Sequence, residues 1–582
     1  MFLLRAIGRL RRPIQSACFL LFLALFFSVC WPYDVRHHAE ARAAREMVEA
    51  EAFLALDPLV SVSTAIAARA WVWSLAWAAA LLAVCLVIPR GFCAYVCPFG
   101  TLLDLFHVAL SSLRSAWGRL FGRSAALRAR DAERRQTRSH AERRDEKVGE
   151  ARRRGWWVHL RYYVLGGLLA AAACGVLLSG FVAAIPVFTR GMMYLAAPVQ
   201  LGLAKGWYLI PPMHAGHYLS IGLFVLTIAL GLLAARFWCR YLCPSGAVFS
   251  VANVLRLTER KVTPACIQCG KCARACSFDA IRPDFTTRAL DCTFCQTCGK
   301  VCPVNAIEFG WRRLARRTSG ASDGPVSRRG FAMGLGAGLA AAVGIRQLRG
   351  APPDHPPLRP PGSVPEPDFL RLCVRCGQCL KACPFNVLQP MGFEHGLESL
   401  WTPQVVPDWV GCEPKCNNCG QVCPTGAIRA LPLDEKRAAR IGLAIVNEAT
   451  CLPHLGTEAC QMCFDECKAA GYDAIEFVRV HVEIGDDGQP VEGSGFSAPV
   501  VLADKCNGCG LCQSRCYHIN AKQKHLMAES SIVVIAGPGN EDRLTRGSYR
   551  ALREAERRQR EEQRKKLQPK DSGDSYLPDF LK

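Results

Sequence analysis

The chain reads as an all-α four-helix transmembrane bundle followed by α+β, ferredoxin-like domains, one built for two clusters and one for four. Three observations predict this architecture. Four apolar runs, residues 14–31, 70–89, 162–185 and 218–238, lie within the first 245 of the 582 residues. Each approaches the length of about 20 residues that spans a bilayer. Six cysteine quartets fill the remainder, and a Cys-x3-Cys-Pro motif follows the second and fourth runs.

The first segment, 1–245, is a membrane domain. The excess of 22 positive charges could signal nucleic acid, but its distribution argues for a bilayer. Arg5, Arg9, Arg11 and Arg12 precede the first run, an Arg-rich loop covers 114–154, and Arg236, Arg240, Arg256, Arg260 and Lys261 follow or close the fourth. The loop between runs one and two is acidic instead, with Glu40, Glu46, Glu49, Glu51 and Asp57. The positive-inside rule then sets the N-terminus, the Arg-rich loop and the segment after run four in the cytoplasm, in a multi-pass protein of the bacterial inner membrane. Trp117, Phe121, Trp156 and Trp157 give the basic loop a face for the lipid bilayer and its anionic headgroups. No nucleic-acid recognition motif accompanies the charge.

Cys93-Ala94-Tyr95-Val96-Cys97-Pro98 and Cys239-Arg240-Tyr241-Leu242-Cys243-Pro244 end on the same, cytoplasmic surface. Cysteines four apart share one side of a helical turn. Cys93, Cys97, Cys239 and Cys243 thus form a further redox site, binding a metal or cluster or acting as dithiols.

Residues 255–312 form a cytoplasmic two-cluster ferredoxin. Its quartets are Cys266, Cys269, Cys272, Cys276 and Cys292, Cys295, Cys298, Cys302. The spacing C-x2-C-x2-C-x3-C is that of bacterial [4Fe–4S] ferredoxins, whose fourth Cys ligates the other cluster. Cys302 is therefore expected with Cys266, Cys269 and Cys272, and Cys276 with Cys292, Cys295 and Cys298.

Residues 313–350 are a basic linker containing Ser327-Arg328-Arg329-Gly330-Phe331, in form a twin-arginine signal. The apolar stretch 331–344 that follows suits a signal core better than a span, and with no clear cleavage site it is expected to remain as an anchor. Pro-rich residues 351–367 read as a stiff spacer. Residues 368–535 are a four-cluster domain, placed in the periplasm because this export route carries folded, cofactor-loaded domains. Its quartets are Cys373, Cys376, Cys379, Cys383; Cys412, Cys416, Cys419, Cys423; Cys451, Cys460, Cys463, Cys467; and Cys506, Cys509, Cys512, Cys516. The wider gaps between them favour nested pairing, first with last, over sequential pairing. Residues 536–582 read as a charged tail with a solvated helix.

The counter-readings are zinc and disulfides. Zinc knots use paired C-x2-C units on a longer arm, and disulfide frameworks belong to small secreted domains. The quartets instead repeat as modules: 277–281, 303–307 and 424–428 follow a fourth Cys with related sequence. Six [4Fe–4S] clusters result. Cys18, Cys30, Cys85 and Cys174, scattered through the apolar runs, read as inert.

With four spans, twin CxxxCP motifs and a two-cluster ferredoxin, residues 1–315 resemble the NapH membrane subunit of periplasmic nitrate reductase systems. Residues 325–535 resemble the exported NapG and MauM ferredoxins, so the chain resembles a fusion of the two. The resemblance implies a quinol dehydrogenase component drawing on the membrane quinol pool and passing electrons to a periplasmic reductase or multihaem cytochrome. Quinol oxidation also releases protons, and His214, His217, His37 and His38 are the candidates for that step. Met192, Met193, Tyr194, Trp207 and Tyr208 are expected to line an apolar pocket between them. A redox sensor or maturation factor is the alternative reading.

Overall fold

The computed structural model describes residues 2–29, 51–120, 159–312, 327–347, 356–486, 489, 491 and 493–567. His37, His38, Cys30 and most of the Arg-rich loop lie outside the described residues.

The apolar runs become helices of unequal length. Helix α1 (Phe2–Ser28) is continuous through Pro13. Helix α2 (Pro58–Ala68) lies in what reads as an acidic loop, capped by Asp57, whose carboxylate accepts the Leu59 N–H at 3.0 Å. The pattern hides it because α2 is buried on most sides and so lacks a polar face. Helix α3 (Ser74–Val87) follows, and then α4 (Pro98–Leu120). Helix α5 (Leu160–Ala173) stops short of the predicted span 162–185. Gly175 takes φ +77°, which turns the chain, and a new helix, α6 (Ala184–Ala204), begins beyond it. Helix α7 (Ala215–Ala229) starts at His214, and α8 (Pro244–Ala252) follows the second CxxxCP motif. Two segments, Leu10–Ser28 and Ala215–Leu232, are long and apolar enough to cross a membrane. The second and third predicted spans are helices of 14 residues each, so four full-length spans are not observed.

The twin-arginine segment opens helix α9 (Arg328–Gln347). It is one helix of 20 residues, about 30 Å long. It runs alongside α5 in backbone contact: a Cβ on Gly334 would lie 2.6 Å from the Tyr163 carbonyl oxygen. Such small-residue contacts let helix backbones touch.

The ferredoxin units are closed by two-stranded antiparallel sheets. In the first unit β1 (Thr258–Val262) pairs with β2 (Ile307–Trp311), bracketing both quartets. A second unit contains β3 (Leu388–Pro390) paired with β4 (Pro403–Val405). In a third, β5 (Leu443–Val446) pairs with β8 (Ile532–Ile535), enclosing the pair β6 (Ile475–Val480) and β7 (Phe496–Val501). The expected spacer is not free: 359–364 are buried, Val405 N–H donates to the Leu358 carbonyl, and Ser363 bridges Ile428. The tail also contributes to the domain. Arg543 pairs with Glu366 at 2.6 Å, and fully buried Tyr549 opens helix α10 (Tyr549–Leu567), whose other residues are largely exposed.

The ferredoxins occupy opposite ends of the helical bundle. At one end Thr258 donates to the Val87 carbonyl, Tyr95 to that of Phe294 at 3.0 Å, and Arg161 pairs with Asp291. At the other, Trp401 Nε1 donates to the Gly216 carbonyl at 2.7 Å and Arg375 to that of Leu177 at 2.8 Å. Helix α1 joins the ends: Arg11 bonds Thr297, whereas Val29 packs on Ala382 and Val422. Those two positions are roughly 27 Å apart along a helix.

Candidate functional site

The first four quartets are each a loop followed by a single helical turn, as in Gly270 preceding Lys271–Arg274 and Gly377 preceding Gln378–Lys381, whereas the fifth carries the longer helix Met462–Ala469 and the sixth Leu511–Cys516. Both glycines have positive φ, which folds the ligand loop tightly enough for three thiols to face one centre. In five of the six quartets the fourth Cys crosses over to the neighbouring quartet. Cys276 lines one cavity with Cys292, Cys295 and Cys298. Cys423 lines another with Cys373, Cys376 and Cys379. Cys383 is grouped electrostatically with Cys412, Cys416 and Cys419. Cys516 stands with Cys451, Cys460 and Cys463, and Cys467 with Cys506, Cys509 and Cys512. Cys266 and Cys269 group with Cys272. The four-quartet region therefore pairs sequentially, third with fourth and fifth with sixth. This overturns the nested expectation, because β5–β8 closes the last two quartets into their own unit.

The donor set fits cubanes. Backbone N–H groups approach thiol sulfurs at Ala280 to Cys276, Ala306 to Cys302 and Ala474 to Cys467, each 3.3 Å, so the sulfurs are held as acceptors. Burial pushes the Cys416 and Cys509 thiols up to about 12, so without a cluster they stay protonated. Buried cations stand by. Lys436 is held charged against its burial by Cys412, and Arg260 lies beside Cys272. No three His, Cys, Asp or Glu side chains among the described residues converge as a single metal ion requires.

The CxxxCP motifs are built alike. Phe92–Val96 and Trp238–Leu242 are π-helical turns, a form frequent at functional sites. Each second Cys then starts the next helix: Gly100 N–H lies 3.4 Å from Cys97 Sγ, and Gly246 N–H 3.3 Å from Cys243 Sγ. Sequence reading missed the arginines. Arg90 and Arg236 stand three residues before Cys93 and Cys239, with φ of 48° and 53°, and both are buried. Each reaches across to the other repeat, Arg236 toward Gly100 and Arg90 toward Gly246. The recurring signal was legible as Arg-x2-Cys-x3-Cys-Pro-x-Gly. Phe278, just beyond Cys276, packs under both guanidinium groups, at 5.3 and 4.9 Å.

A cavity of about 100 Å³, open to its surroundings on one side, lies where α6 and α7 meet the second ferredoxin unit. Met193, Tyr194, His217, Gln389 and Cys383 are among its lining residues. Of the expected lining residues, Met192, Trp207 and Tyr208 do not reach it; Trp207 and Tyr208 are exposed. His214 is also displaced from the expected role. Its Nδ1 accepts the Gly216 N–H at 3.2 Å, so Nε2 carries the proton and donates to the Pro390 carbonyl at 2.8 Å. It caps α7 and ties it to the ferredoxin. His217 Nδ1 accepts the His214 N–H at 3.2 Å, and its Nε2–H has no partner among the described residues. Its ring lies 4.7 Å from that of Tyr194. The buried Tyr194 hydroxyl and Gln389 Nε2 have no hydrogen-bond partner among the described residues.

The family model described as a 4Fe-4S dicluster domain matches residues 372–438, the third and fourth quartets. A second, a 4Fe-4S binding domain, matches residues 70–119 and 217–262, each containing one CxxxCP motif. The chain is similar to the methylamine utilization ferredoxin-type protein MauM of Paracoccus denitrificans, 36% identical over 194 residues, 31% of this chain and 80% of that protein. It is similar to the ferredoxin-type protein NapG of Escherichia coli, 34% identical over 210 residues, 36% of this chain and 81% of that one. The putative electron transport protein YccM of Escherichia coli is 28% identical over 240 residues, 40% of this chain and 55% of that protein. No solved structure matches the chain.

Proposed function

This chain belongs to the MauM/NapG family of ferredoxin-type iron–sulfur electron-transfer proteins, and on that premise we propose that it is a membrane-spanning quinol dehydrogenase component carrying six [4Fe–4S] clusters. One observation carries the quinol reading: a mostly apolar cavity between two helices and a ferredoxin unit holds unpartnered polar groups beside a cluster cysteine, Cys383. A quinone head group needs such a setting, apolar walls with a few placed polar atoms.

In this reading His217 and Tyr194 orient the quinol. The unclaimed Nε2–H of His217 donates to one quinol oxygen, and the Tyr194 hydroxyl accepts a quinol O–H. Protons leave toward the polar rim formed by Gln200, Lys205, Lys381 and Asn386. When bound, the clusters accept electrons singly, splitting the quinol's pair. Cys383, which lines the cavity, would help hold one of the clusters, and the acceptor in this reading is a periplasmic reductase or multihaem cytochrome.

The membrane placement is supported by the two apolar helices, the roughly 27 Å between the ferredoxin contacts on α1, and the arginine bias toward the end with the first ferredoxin. That end is cytoplasmic in this reading, α9 returns the chain across the bilayer, and the NapH-like portion is the bundle. The four CxxxCP thiols, packed beside Cys276 and Phe278, form an additional redox station.

Anaerobic titration of purified, cluster-loaded protein with a soluble quinol tests the proposal through bleaching of the iron–sulfur absorbance. Bleaching at stoichiometric quinol is expected. Reduction by dithionite with no response to quinol would remove the donor and favour the sensor or maturation reading.

A further inference from the structure

Arg190 lies on α6, in the helical half of the chain, yet its guanidinium is directed into the cluster-ligand loop of the ferredoxin half. It donates to the carbonyl of Arg375 at 3.0 Å, between Cys373 and Cys376, and to that of Gly180 at 3.0 Å. Its Nε donates to Ser220 Oγ at 2.8 Å, and its face stacks on Trp401 at 3.8 Å. The side chain is 1% exposed, and among the described residues no carboxylate pairs with it. Arg375, equally buried, donates to the carbonyls of Leu400, Leu177, Cys373 and Glu398. Glu398 offsets the charge of Arg375, whereas Arg190 is held by carbonyls and a hydroxyl, which is costly unless an anion shares its surroundings.

The anion these surroundings suit is a four-thiolate cluster, which gains further negative charge on reduction. Lys436 and Arg260 show the same provision within single ferredoxin units. Arg190 differs because it arrives from the other half of the molecule and adds a second cation to one centre. We infer that Arg190 is a redox-positioning residue: its fixed charge raises the reduction potential of the cluster held by Cys373, Cys376, Cys379 and Cys423 above those of the other three in the exported region. Low dielectric makes the charge effective, since each added electron at that cluster is attracted by an unscreened cation. Tyr194, one turn along α6, lines the cavity, so the same helix links the quinol wall to this cluster. The inference rests on the electron-transfer reading but not on quinol as donor.

The test is an EPR-monitored, mediator-based redox titration of the full cluster-loaded protein, with no quinol present. Arg190→Met should shift the one-electron equilibrium of one cluster toward the oxidised form by about tenfold, equivalent to about 59 mV, and leave the others in place. Arg190→Lys should retain most of the wild-type potential. Ser220→Asp, which sets a carboxylate against the retained guanidinium, should lower the same potential and serves if Arg190→Met does not hold its clusters. Unchanged potentials in Arg190→Met or Ser220→Asp, or an equal fall in Arg190→Lys and Arg190→Met, would overturn the inference. Because the titration contains no quinol, its failure is distinct from failure of the quinol site.

Discussion

Gly338 of α9 lies so close to Gly167 of α5 that a Cβ on it would sit 2.1 Å from the Gly167 carbonyl oxygen. Gly334 and Gly330 make similar approaches to Tyr163, and Arg346 donates to the Cys174 carbonyl at 2.8 Å, so the two helices run in parallel along their length. A helix packed this way is part of the fold, which bears directly on whether the twin-arginine segment is removed.

Gly338→Leu should force α9 off α5. Overpacking of this kind costs roughly 1–3 kcal/mol, and here no side chain can yield, because the clash is with backbone. A lowered midpoint in thermal unfolding in detergent and new proteolysis between the two ferredoxin regions should follow. Wild-type protein should migrate as one uncleaved chain.

Tyr194→Phe and His214→Ala should separate the two roles at the cavity. Loss of the unpartnered Tyr194 hydroxyl should slow cluster reduction by quinol about tenfold, or about 1.4 kcal/mol of barrier, with iron content unchanged. His214→Ala removes a helix cap and the bond to Pro390, so its effect should appear as about 1 kcal/mol of lost stability. A substantial rate loss in His214→Ala at unchanged stability would contradict this division.

Much of this was legible in the sequence, and the failures share a cause. Thiol spacing is local, so the ligand loops around Cys266 and Cys373 followed from it directly. Residues whose role depends on a distant partner did not. His214 and His217 look equivalent in the chain, but Pro390, far away in sequence, claims only His214. Helix α2 was hidden by burial on most sides, and the apolar run 162–185 gave no sign that Gly175 would break it. Gap lengths alone favour nesting, whereas the pairing of Leu443–Val446 with Ile532–Ile535 decides the matter.

Glu366 gives a prediction in pH. Although burial opposes its charge, Arg359 and Arg543 hold its carboxyl down to about 2. A carboxyl lowered in the folded state contributes stability above its ordinary value near 4.5, and that contribution is lost as pH falls toward 2. Glu366→Gln should therefore destabilise the second ferredoxin region by on the order of 2 kcal/mol. The deficit should be constant from pH 8 to pH 5 and shrink only below that range. Denaturant titrations followed by loss of cluster absorbance would show it. A deficit that changes between pH 8 and pH 6 would mean another group is responsible.

Sequential pairing makes a prediction in whole clusters. Cys373 and Cys423 line one cavity, while Cys383 belongs with Cys412, Cys416 and Cys419. The double variant Cys373→Ser/Cys423→Ser therefore attacks one cluster twice, and Cys383→Ser/Cys423→Ser attacks two clusters once each. Iron and acid-labile sulfide analysis should show the first losing one cluster and the second losing or degrading two. Nested pairing gives a different result, because Cys423 would then share no cluster with Cys373, and the first double variant would damage two. The same logic extends to the last unit: Cys451→Ser and Cys516→Ser should be non-additive with each other, and each additive with Cys467→Ser. Serine can sometimes hold iron through its oxygen, so the comparison should be repeated with alanine. The order of losses among the double variants, rather than their absolute size, decides between the two arrangements.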